Sequence, residues 1–139
     1  MKWWLAPALV AAALIQGGWG VPLDLVLLLT IAAARRRLVP GGTLVGLLGG
    51  LLLGAVRGIG SGPLSALYVA CGWLAGAWFE RGLGTGARAM LLGAGLFSLV
   101  VAGDTVLRLT LGQPLELSQF ASAWRILLVH AALTWWVAR

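Results

Sequence analysis

The chain has 139 residues, of which 60% are apolar and only 10% charged, with a mean hydropathy of +0.97 and a formal net charge of +6. Soluble domains are about half apolar and about a quarter charged, and a small one keeps much of its area in water. Composition therefore excludes a soluble enzyme, a disordered tail and a disulfide-built secreted module. At about 20 residues per crossing, the expectation is an all-α integral membrane protein, a single transmembrane domain of six spans over residues 1–139.

The expected spans are 3–16, 22–35, 43–57, 63–79, 87–108 and 120–137. The first follows Met1-Lys2 and is read as a retained span rather than a signal peptide, because Trp3 and Trp4 take interface positions. The second opens at Pro22, suited to a first helical turn, and stops at Arg35-Arg36-Arg37. Pro40-Gly41-Gly42 separates it from the third. No run alternates with period two, which excludes a β-barrel. Several runs are short and require snorkelling flanks or a locally thin bilayer.

Lys and Arg placement sets the orientation. With the N-terminus in the cytoplasm, Lys2, Arg35, Arg36, Arg37, Arg81, Arg88 and Arg139 fall inside, and Arg57, Arg108 and Arg125 fall at the outer face. Glu80 is inside, and an even number of spans returns the C-terminus to the cytoplasm. Trp3, Trp4, Trp78, Trp135 and Trp136 form an inner belt, and Trp19 and Trp124 an outer one. Basic residues at the ends of apolar runs read as topological rather than as a nucleic-acid surface. The single cysteine, Cys71, cannot form an internal disulfide and is read as packing.

Glycine gives the strongest pattern. Gly42, Gly46, Gly50, Gly54, Gly58 and Gly62 recur every fourth residue, and Gly72 and Gly76 make a shorter copy. Residues four apart share a helix face, and small residues let helix backbones approach closely in lipid. The stripe is read as packing inside the bundle, or as a groove for a partner's transmembrane helix or a second copy of this chain. From Gly58 onward the glycines are expected in a loop.

A polar cluster is expected near the outer face: Asp24, Asp104, Arg108, Glu116 and Arg125, with Asp104 and Arg108 paired at i,i+4. Ionisable groups in spans are functional candidates, but near span ends they snorkel, so an ion-pair network is the plainer reading. Ser98 and His130 have no orienting carboxylate or nucleophile motif around them, and His130 is read as a polar contact between helices. One Cys and one His far apart make no metal site. Gly82-Leu83-Gly84-Thr85-Gly86 lacks the Lys-Ser/Thr of a phosphate loop. No enzyme and no cofactor is expected.

The order of features resembles MreD, the integral-membrane subunit of the bacterial rod-shape machinery. The residues that carry the resemblance are Pro22-Leu23-Asp24-Leu25, Arg35-Arg36-Arg37, Gly46-Leu47-Leu48-Gly49-Gly50-Leu51-Leu52-Leu53, and Gly60-Ser61-Gly62-Pro63-Leu64-Ser65-Ala66-Leu67-Tyr68. It is clearest over residues 22–76. Two departures stand out: Leu23 separates proline from acid, and Gly54 stands where the family commonly has an aspartate.

The resemblance implies a non-enzymatic protein of the bacterial cytoplasmic membrane. It implies MreC, a single-span protein, as partner, with RodA and its penicillin-binding transpeptidase beyond it, in the control of peptidoglycan synthesis and rod shape. It also implies a six-helix bundle similar to the substrate-binding subunits of energy-coupling-factor transporters. A vitamin-binding subunit of such a transporter is the alternative function, with Asp104, Arg108, Arg125 and Glu116 lining its site.

Overall fold

Five α-helices make up nearly all of the described residues, with no strand among them: α1 Leu5–Gly18, α2 Leu25–Arg57, α3 Ser61–Glu80, α4 Ala87–Thr110 and α5 Leu117–Val137. The structure is a computed structural model and describes residues 4–18, 23–58, 61–113 and 117–138. Two of these helices, α2 and α4, are long and apolar enough to cross a membrane.

The second helix is not one rod. Leu38 has φ 56° and ψ −148°, and Pro40 follows two residues later. The chain reverses there. Gly42 lies against the Ala34 side chain and Gly49 against Val26, so residues 25–37 and 39–57 run antiparallel as two limbs. The sequence suggests a loop at Pro40-Gly41-Gly42, yet these residues are helical. Proline suits the first turn of the new limb, and Gly42 is needed where that limb crosses α3.

The helix ends follow local chemistry. Asp24 caps α2, and Gly58 closes it in the left-handed region at φ 65°. Gly82 does the same after α3, at φ 69°, with the Leu83 amide reaching the Trp78 carbonyl at 3.2 Å. These residues adopt positive φ because glycine has no Cβ to clash.

The second limb of α2 and α3 pack most closely, and α1 lies against both limbs of α2 through Leu9, Gly17 and Val26. The pair α4–α5 is joined internally where Gly93 receives the Thr134 side chain, and is fitted to α3 where Gly103 receives Leu67. The buried centre is Val26, Leu27, Ile31, Leu53, Leu64 and Tyr68. The exterior is apolar too: Leu91 is 67% exposed, Leu128 73% and Trp136 70%.

A candidate functional site at the buried start of the second helix

The first four amide groups of a helix lack partners within it. In α2 the amides of residues 25–28 all have partners. Leu25 N–H reaches the Leu23 carbonyl at 3.1 Å, and Leu28 N–H the Asp24 carbonyl at 3.1 Å. Leu27 N–H donates to Asp24 Oδ1 at 2.9 Å, and Val26 N–H to Gln16 Oε1 at 3.1 Å. A carboxylate at this position also faces the positive end of the helix dipole.

The same two side chains continue the network. The Tyr68 hydroxyl donates to Asp24 Oδ2 at 2.7 Å and accepts from Gln16 Nε2 at 3.4 Å. From α5, His130 Nε2 donates to the Asp24 carbonyl at 3.3 Å. The imidazole packs on Phe97, ring centres 4.9 Å apart, and its Nδ1 is buried without a hydrogen-bond partner among the described residues. Asp24, Gln16, Tyr68 and His130 are all buried. They join α1, α2, α3 and α5 at one point.

Asp24 is therefore not in the outer cluster where the sequence places it. Phe97 lies near the middle of α4, and contact through His130 brings Asp24 to that level. Asp104 is seven residues farther along α4, about 10 Å of helical rise. The first limb of α2 is short, so its start lies well inside the bundle.

The outer cluster contains a different set. Asp104 Oδ2 accepts from Arg108 Nε at 2.9 Å, and Asp104 Oδ1 accepts from Arg57 at 3.4 Å. Arg57, read only as a flanking charge in the sequence, ties α2 to α4. Arg125 is exposed on α5. Glu116 lies outside the described residues.

The glycine stripe is filled by this chain's own α3. A Cβ at Gly42 would strike the Gly72 carbonyl, and one at Gly72 would strike the Gly42 carbonyl. A Cβ at Gly46 would meet the Tyr68 carbonyl, one at Gly50 the Ser65 backbone at 2.5 Å, and one at Gly76 the Val39 backbone. Gly54 is buried in the same limb. Gly58 ends the limb with open space around it, and Gly62 faces open space in the first turn of α3 rather than in a loop.

Ser98 is exposed and donates to the Ala94 carbonyl at 2.8 Å, so it does not meet buried His130. Among the described residues no group of three or more metal-binding side chains occurs.

Sequence reading missed Gln16 and Tyr68 as site residues. The signal was present: Gln16 is the sole strongly polar residue of its run, and Asp24 directly precedes an apolar helix. Nothing in a single sequence shows that the two meet. No protein family, curated protein or solved structure matches the chain.

Proposed function

We propose that this chain is a non-enzymatic, multi-pass scaffold of the bacterial cytoplasmic membrane, similar to MreD, that binds the single membrane helix of an MreC-like partner. The observation that carries the reading is a convergence. The proline–acid stretch and the glycine–tyrosine stretch, which carry the resemblance from opposite sides of the basic turn, meet at the Asp24–Tyr68 hydrogen bond of 2.7 Å. The glycine-rich stretch between them packs Gly46 onto the Tyr68 carbonyl.

On this reading the second limb of α2, α3, α4 and α5 cross the membrane, and α1 with the first limb makes a shorter pair entering from the cytoplasmic side, so that both ends lie in the cytoplasm. Apolar side chains on the exterior then face lipid, and backbone groups are met within helices, as a bilayer interior demands. The α1 helix and the first limb rise only about 20 Å, less than the roughly 30 Å hydrocarbon core. The start of α2 therefore lies inside the bundle, where Gln16 and Asp24 satisfy its amides.

With α3 in the glycine seam, the partner helix docks elsewhere. The exposed face of α4 offers Leu91, Gly95, Leu99, Ala102 and Val106 at helical spacing, and a Cβ at Gly95 meets nothing within 4 Å. A notch of small residues between leucines suits an apolar helix in lipid. The alternative, a vitamin-binding transporter subunit, calls for polar groups converging on a ligand, but both Asp104 oxygens already serve Arg57 and Arg108.

The test is purification of the tagged chain from its native membranes in mild detergent, with identification of what accompanies it. A single-span periplasmic protein with cell-wall synthases is the expected result. Recovery of ATPase subunits with a coupling membrane protein overturns the scaffold reading in favour of transport.

A further inference from the structure

The end of the bundle opposite the Asp104 cluster exposes Arg36, Arg37, Arg81 and Arg88. None of the four forms an ion pair with a carboxylate among the described residues, where the salt bridges are those of Asp104. The acid at this end, Glu80, is directed to the backbone. Its Oε1 accepts the Val39 N–H at 3.4 Å, a donor that the turn at Leu38 removes from the helical ladder. That contact sets residue 39 beside residue 80, and the backbone of Leu38 and Val39 lies against Gly76, so the chain positions of Arg37 and Arg81 come to the same end of the bundle. Arg36 lies over the Trp4 ring, 5.8 Å from its centre. Trp4 is 39% exposed and Leu38 40%, so guanidinium groups and apolar side chains share one rim.

We propose that this rim is a binding site for the phosphodiester headgroup of an anionic lipid, with Arg36, Arg37 and Arg81 as its donors. The inference rests on the membrane-embedded reading above. Arginine presents a planar fork that matches two phosphate oxygens at once, and basic groups at the cytoplasmic face of spans attract anionic headgroups. Trp4 sits where amphipathic rings favour the headgroup boundary. Lipid, rather than free phosphate, is the occupant because the apolar neighbours, Trp4 and Leu38, give the acyl chains a surface to follow.

The protein is reconstituted in nanodiscs of mixed phosphatidylglycerol and phosphatidylcholine, extracted mildly, and its retained lipids are counted by native mass spectrometry. The wild-type chain is expected to enrich phosphatidylglycerol over the bulk ratio, by about fivefold for each engaged arginine, the equivalent of about 1 kcal/mol. The triple variant Arg36→Gln, Arg37→Gln, Arg81→Gln is expected to return to the bulk ratio, and Arg125→Gln, at the other end, to enrich like wild type. Lipid retained at the bulk ratio by the wild-type chain overturns the site without reference to any variant. Equal loss in the Arg125→Gln variant overturns its location. Displacement of the lipid by inorganic phosphate overturns the choice of occupant. Release of the chain from native membranes by alkaline carbonate is a separate result, and it overturns the membrane reading itself.

Discussion

The Tyr68 hydroxyl donates to the Asp24 carboxylate at 2.7 Å across 44 residues of chain. This bond fixes the start of α2 against α3, and Gln16 closes the arrangement from α1. A hydrogen bond to a charged, buried partner contributes about 1.5–3 kcal/mol, and an orphaned partner costs about as much. Tyr68→Phe and Asp24→Asn should each lower stability by amounts in that range. The double variant should lose less than the sum of the two. Unfolding in detergent, followed by tryptophan fluorescence, measures both; strictly additive losses would mean that the two groups do not interact.

Gly46 and Gly95 should respond oppositely to the same change. Gly46→Ala places a methyl against the Tyr68 carbonyl, and overpacking of this kind costs about 1–3 kcal/mol. Gly95→Ala meets open space and gains up to about 1 kcal/mol of helix propensity. Melting temperatures of the two purified variants decide the point. Equal destabilisation would place Gly95 in an internal contact.

Leu38 holds a left-handed φ of 56°, a conformation that costs a branched residue about 1–3 kcal/mol. It is 40% exposed, so its side chain is only partly packed and the relief of backbone strain is expected to outweigh the burial lost. Leu38→Gly should therefore raise the melting temperature. A fall would show that the side chain contributes more than the backbone strain removes.

The pair Arg57–Asp104 is partly open to solvent, with 23% exposure on each side chain. Screening limits such a contact to about 0.2–1 kcal/mol. Asp104→Asn should lower stability by that modest amount, with a difference from wild type that shrinks as salt is raised. A salt-independent loss would indicate a packing role instead.

The helical class, the break after Arg37 and the close-packing role of Gly42, Gly46 and Gly50 were legible in the sequence, because hydropathy and four-residue spacing are local signals. The reach of Asp24 was not. Its position near the end of an apolar run suggested a snorkelling group at the outer face, whereas a short first limb carries it inward to His130. The neighbour of the glycine stripe was also out of reach, since a bare face does not identify the helix that covers it. The Arg57–Asp104 contact joins residues 47 apart, and no local pattern announces such a pairing. By contrast Asp104–Arg108, at i,i+4, was visible as a spacing.

On the proposed function α3 fills the glycine seam, which leaves the α4 face to receive the partner helix. Single cysteines at Gly95, Leu99 and Ala102, in a chain with Cys71 replaced by alanine, test it by cross-linking in native membranes to the membrane helix of the proposed single-span partner. Cross-links from these positions, and none from cysteines at the exposed Leu44 and Leu48 of α2, are predicted. Efficient cross-linking from α2, with none from α4, would place the partner helix on α2 and rule out the α4 face.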